Sequence, residues 1–165
     1  MTNRVTELIE ALREKRDVLE CLQAILEEEN ELITRLDSEG LHINSEKKLQ
    51  LFERISNLND RCRAALEYAY REVGIYGENT LSPIIPGLKQ PEREIVRNLQ
   101  KTIICTAGKT EQLLKLNRDL LEMSLNFIES SMSFFKRFFS ISDTYGQTGR
   151  MLTTLPTPRI VCKEM

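Results

Sequence analysis

Apolar residues in this chain recur at alternating three- and four-residue steps over three long segments, the spacing of an α-helix that packs along another helix. The first of these seams is interrupted only by Lys15 and Glu29. A chain of 165 residues is long enough for one domain with a modest core. The pattern predicts an all-α fold: an elongated antiparallel three-helix, coiled-coil-like bundle with a disordered C-terminal tail.

Helix stop and start signals place the first two helices. The first should span about residues 3–39, because Gly40 follows it where a helix commonly ends. Asn44 or Ser45 can cap a second helix over about 45–73. So short a connection would fold the second helix back, antiparallel to the first.

The second half of the chain combines a long loop with the longest seam. Glycines and prolines predict a loop over 74–90, followed by a third helix over about 91–142. Gly108 is the weakest point of that helix, where a kink or break is expected, because glycine disfavours a helix interior. The helical bundle should therefore cover 1–142, and 143–165 should form a flexible tail that is ordered only on binding.

Reactive side chains are sparse and scattered. His42 is the only histidine and falls in the predicted turn between the first two helices. The sequence Gly108-Lys109-Thr110 lacks the earlier glycine of a phosphate-binding loop. The cysteines are too far apart for a metal site and are expected to be reduced thiols: Cys21, Cys62, Cys105 and Cys162. We expect no catalytic site, no metal and no cofactor, and so no enzyme.

Charge and hydropathy limit the partners. The formal net charge is −2, and no basic stripe suited to nucleic acid is present. No run of apolar residues is long enough to cross a membrane, and the first sixteen residues lack the apolar segment of a signal peptide. The sequence therefore predicts a cytoplasmic protein with no nucleic-acid partner and no direct membrane insertion.

Five of the six phenylalanines fall within thirteen residues near the end of the third helix. With neighbouring apolar residues they cover about half of the helix circumference, a wider face than one helix partner buries. Aromatic residues at helical spacing usually form core, but the width of this face and the length of the helix favour binding of a partner. A membrane-surface helix is disfavoured, since serine rather than lysine or arginine borders the face. The candidate partner-binding residues are Phe127, Phe134, Phe135, Phe138, Phe139 and Ile141.

The second half of the chain contains a Leu-x-x-Leu-Asn step ending at Asn117, an amphipathic helix after it, and Tyr-Gly-x-x-Gly-Arg at 145–150. Together these motifs resemble the signature of FlgN-type flagellar export chaperones. In the second helix, Glu-Lys-Lys-Leu-x-Leu at 46–51 is also similar to the family pattern. The similarity spans about residues 5–150 and is weakest in the loop. This chain has Arg-Asp-Leu at 118–120, where the family often has a second asparagine and a glycine.

The resemblance implies an all-helical, non-enzymatic chaperone of flagellum biogenesis and type III protein export. Its clients would be the hook-associated proteins of the hook-filament junction, bound near their C-terminal helices and kept from premature assembly. Tyr145 with Gly146 would dock the chaperone on the cytoplasmic domain of the export gate, and the export ATPase complex is a further candidate partner. The alternative is a structural coiled-coil adaptor that forms a homo-oligomer through its third helix.

Overall fold

Three α-helices make up most of the protein in a computed structural model that describes residues 2–73, 80–138, 144–145 and 151–152. Helix α1 spans Thr2–Arg35, α2 spans Ser38–Val73 and α3 spans Glu92–Phe138. A short 3-10 helix, Ile85–Gly87, precedes α3. The prediction of an all-α fold built from three helices is confirmed.

The turn between α1 and α2 lies earlier than predicted. Leu36 has a left-handed φ of 55°, and the next N–H, that of Asp37, donates to the Leu32 carbonyl at 3.0 Å. The Asp37 carboxylate then accepts a hydrogen bond from the Gly40 N–H at 2.9 Å. Asp37 is therefore the N-cap of α2. The predicted helix stop at Gly40 is wrong, because this glycine lies in the first turn of the next helix.

Two further predictions in this region are wrong because the turn lies earlier in the chain. His42 lies inside α2, on its exposed surface, rather than in a turn. Asn44 is not a helix cap either, since it is almost completely buried against α1. Gly40 nevertheless lies close to two side chains. A Cβ atom there would lie 2.6 Å from Leu32 Cδ2 and 2.8 Å from the Asp37 carboxylate.

The described part of the predicted loop contributes directly to the core. Ile84, Ile85 and Leu88 are buried. The Tyr70 hydroxyl of α2 donates to the Thr80 carbonyl at 2.8 Å, which ties the start of this segment to the helix. The main core cluster joins the first half of α1, the end of α2, this segment and the start of α3: Leu8, Ile9, Leu12, Ala65, Leu66, Ala69, Tyr70, Ile84, Ile85, Leu88, Val96 and Leu99.

Helix α3 is unbroken at Gly108. The glycine is exposed, and a Cβ atom built on it would meet nothing within 4 Å. Its flanking turns keep their helical hydrogen-bonding pattern, so the predicted break does not occur.

The chain divides into two compact units, Met1–Leu120 and Leu121–Met165. The first unit contains α1, α2 and most of α3. The second contains the end of α3 and two short strands, β1 (Thr144–Tyr145) and β2 (Met151–Leu152), which pair antiparallel with Thr144 opposite Leu152. These strands lie in the predicted tail, whose other residues, 143, 146–150 and 153–165, fall outside the described residues.

Candidate functional site

The end of α3 carries a dense set of exposed apolar side chains within the second unit. Phe127 is 70% exposed, Phe134 57% and Phe135 56%, values far above those of core residues. Together with their exposed apolar neighbours they define what we call the α3 face: Met123, Leu125, Phe127, Ile128, Met132, Phe134 and Phe135. None of these side chains is part of the core of the described chain.

Helical periodicity arranges the α3 face into two adjacent stripes. At 100° per residue, Met123, Phe127 and Phe134 share one stripe. Ile128 and Phe135, seven residues apart, lie on the other. Phe134 and Phe135 join the two stripes through an edge-to-face ring contact with centroids 6.0 Å apart and planes at 74°. Such a surface can bury far more apolar area than a single coiled-coil seam.

The other predicted site residues are only partly described. Phe138 is the last residue of α3, but its side chain lies outside the described residues. Phe139, Ile141 and Gly146 lie wholly outside the described residues. Tyr145 belongs to β1, where its backbone lies opposite Met151 of β2.

A second arrangement, in the first unit, is a buried polar layer that ties the three helices together. Glu29 of α1 is 3% exposed, and its Oε1 atom accepts a hydrogen bond from the ammonium of Lys48 on α2. Its Oε2 atom accepts from the side-chain amide of Asn117 on α3 at 3.0 Å. One carboxylate therefore binds a donor from each of the other two helices.

Asn117 completes this layer with two further hydrogen bonds. Its Nδ2 atom also donates to the Leu26 carbonyl at 2.8 Å, and its Oδ1 atom accepts from Asn30 Nδ2 at 2.8 Å. Since a buried polar group is costly unless it is paired, these partners fix the position of α3 on α1. Sequence reasoning did not find this layer. The available signals were Glu29 and Asn117 themselves, two polar residues within the seams of α1 and α3.

Asn44 adds a further buried amide next to this layer. Its Nδ2 atom donates to the Ile25 carbonyl at 3.0 Å and to Glu28 at 3.3 Å. Its Oδ1 atom has no hydrogen-bond partner within the described chain. The amide therefore binds α2 to α1 through its donor side alone.

The remaining ionisable groups of the described chain show no arrangement typical of catalysis. Hydrogen bonds from Arg61 and Arg54 lower the pKa of Glu14, an arrangement that links α2 to α1 at the surface. Burial raises the pKa of the Cys62 thiol. Cys21, Cys62 and Cys105 are free thiols. Nowhere in residues with described side chains do three potential metal ligands cluster.

One comparison with known proteins gives a match. The family model described as FlgN protein matches residues 1–153, which is most of the chain. No curated protein and no solved structure matches this chain. Among the described helices, none is long and apolar enough to cross a membrane.

Proposed function

This chain belongs to the FlgN family of flagellar export chaperones, and from that membership we propose that it is a cytoplasmic chaperone of hook-associated proteins. It binds these clients near their C-terminal helices, prevents their premature assembly and delivers them to the type III export apparatus. The chain acts by binding, with no catalytic step and no cofactor of its own.

The exposure of the α3 face carries this proposal. A flagellar subunit that polymerises through amphipathic terminal helices exposes apolar faces before assembly, and a second amphipathic helix can cover such a face. Phe127, Phe134 and Phe135 supply large apolar side chains on a helix whose geometry is already formed. Each contributes about 1.5 to 3 kcal/mol on full burial, before the cost of ordering the partner is subtracted.

The residues that follow the α3 face extend the proposal. Phe138, Phe139 and Ile141 continue the apolar sequence and belong to the proposed client-binding set. Tyr145 and Gly146 form the proposed contact with the cytoplasmic domain of the export gate, and the export ATPase complex is a further partner. Capture of a client and docking at the gate would thus use different residues.

The same exposure supports a second candidate function. Met123, Phe127 and Phe134 repeat at coiled-coil spacing, so the α3 face could instead pair with a second copy of the chain. The protein would then be a structural adaptor, and self-association would leave the face closed to clients.

Co-expression with a hook-associated protein separates the two functions. The pair is purified with and without the client's C-terminal helix, and size-exclusion chromatography with light scattering measures the mass. The chaperone predicts a discrete complex that is lost with the truncation. A stable homodimer that forms no complex would support the adaptor.

A matched pair of variants locates the contact. Phe134→Ser should weaken the complex, while Leu49→Ser should not, although both residues are exposed apolar side chains, at 57% and 60%. Equal weakening of the complex by both variants would contradict the assignment of the client contact to the α3 face.

A further inference from the structure

A groove in the first unit lies between α2 and α3, with α1 as its floor. Leu8 and Leu12 of α1 line the floor, Leu66 of α2 lines one wall, and Ile103 and Ile104 of α3 line the other. Its volume is about 410 Å³, and it is open to solvent along one side. Ile104 is 65% exposed at the edge. The groove therefore combines an apolar base with an exposed apolar edge.

The segment that precedes α3 also contributes to the groove. Leu81 lines it there, and the neighbouring Ser82 accepts a hydrogen bond from the Gln100 side chain at 3.0 Å. This contact holds the segment against α3. The shape is thus set by elements that are fixed to the core rather than by one movable side chain.

Charge at the groove has a single sign. Among the residues with described side chains, Lys15 of α1 and Arg63 of α2 line it, and no carboxylate does. Within the described chain neither of these cations forms an ion pair. The acidic neighbour of Lys15 in the chain, Glu14, is already engaged by two arginines of α2. A bound partner could therefore satisfy both cations with acidic groups of its own.

We propose that this groove binds an amphipathic α-helix of a partner protein, with aspartate or glutamate beside its apolar stripe. A fourth helix placed between α2 and α3 would complete a four-helix packing over the α1 floor, the usual way in which helices bury such a surface. Its apolar side chains contact Leu12, Leu66 and Ile104, and its carboxylates pair with Lys15 and Arg63. The open side suits a helix better than a small molecule, which a protein usually encloses.

This proposal does not depend on the proposed function. No residue of the groove belongs to the α3 face, which lies in the second unit. Loss of client binding at one surface would therefore leave the prediction for the other unchanged.

The test uses a synthetic amphipathic peptide of about five helical turns, with leucine at the core positions and glutamate beside them. A fluorescein-labelled peptide is titrated with the full chain, and fluorescence anisotropy reports the dissociation constant. Ile104→Glu should weaken binding about tenfold or more, because it places a carboxylate at the apolar edge. Leu49→Glu, the matched change at an exposed apolar residue outside both the groove and the α3 face, should leave the constant unchanged.

Charge reversal gives the second arm of the test, and circular dichroism checks that each variant is folded. Arg63 is exposed, so it can be replaced without disturbing the core. Arg63→Glu should weaken binding of the glutamate peptide and strengthen binding of an otherwise identical lysine peptide. Absence of binding, equal binding of both peptides to the unmodified chain, or greater sensitivity to Leu49→Glu than to Ile104→Glu would each overturn the proposal. The proposal would also be overturned if light scattering showed a dimer that Ile104→Glu converts to a monomer, because a second copy of the chain would then occupy the groove.

Discussion

The buried carboxylate of Glu29 accepts a hydrogen bond from the side-chain amide of Asn117 at 3.0 Å, across the interface between α1 and α3. The same carboxylate also pairs with Lys48 of α2. A contact that links all three helices at one level makes their alignment specific, since sliding any helix by one turn would leave a buried charge unpaired. An all-leucine layer would permit several alignments.

Removal of the Glu29 carboxylate should destabilise the bundle strongly. Glu29→Ala leaves the Asn117 amide and the half-buried Lys48 ammonium without their shared partner, at a cost of about 3 kcal/mol in the free energy of unfolding. Urea denaturation followed by circular dichroism measures this quantity. The matched control is Glu31→Ala, also on α1, which removes only an exposed ion pair with Arg35 and should cost less than about 0.5 kcal/mol.

A double-mutant cycle would separate the contact from the loss of each side chain. Glu29→Ala, Asn117→Ala and the double variant should show a coupling of about 1 kcal/mol or more. Additive effects would mean that the two residues stabilise the protein independently, contrary to the shared hydrogen bond.

The two glycines within the described α-helices should respond in opposite directions to alanine. Gly40→Ala forces a Cβ atom against Leu32 and Asp37, so we expect a loss of about 1 kcal/mol or more. Gly108→Ala meets no neighbour and should stabilise the protein by roughly 0.5 to 1 kcal/mol, through better helix propensity. Thermal unfolding of both variants compares them directly. A loss at both positions would contradict the described environment of Gly108.

Glu14 should contribute to the acid sensitivity of the fold. Arg61 and Arg54 lower the pKa of this carboxyl below its ordinary value of 4.5 in the folded state. Its stabilising contribution is therefore complete above that value and is lost as the pH falls through the folded-state pKa. Glu14→Gln should remove this contribution, so that stability above pH 4.5 is slightly lower and the decline below pH 4.5 is shallower than in the unmodified protein. Parallel profiles for the two proteins would contradict the assignment.

Tyr145 should matter for secretion and not for capture. Because the proposed gate contact and the α3 face use different residues, Tyr145→Ala should lower export of the client while the purified complex keeps its affinity. Export is measured as client in the culture medium, and affinity by titration calorimetry. Equal loss of both would refute this division of roles.

Much of the fold follows from patterns within each helix, because a three-four repeat of apolar residues requires a helical partner. The position of the turn at Leu36 does not follow from such patterns, because neighbouring residues give competing signals for the end of α1 and the start of α2. Gly40 is a good helix stop by residue type, yet the capping carboxylate of Asp37 three residues earlier decides where α2 begins. Asn44 is likewise a good cap by type, but contacts with α1 bury it inside the helix.

The candidate surfaces differ in how far the sequence could predict them. The phenylalanines of the α3 face are conspicuous because of their density within one helix. The groove is not, because Leu12, Leu66 and Ile103 look like ordinary core residues until three helices place them around a space. The link from Glu29 to Asn117 joins residues far apart in the chain, which no local pattern reveals.

The most direct test of the account is the affinity of a client's C-terminal helix for the Phe127→Ser/Phe134→Ser variant, measured by titration calorimetry beside the unmodified chain. Both side chains are exposed in the described structure, so circular dichroism should show nearly unchanged helicity. We expect affinity to fall by about 30-fold or more, as two aromatic contacts are lost. Unchanged affinity, or a large loss of helix in the variant, would contradict the assignment of the α3 face as the client-binding surface.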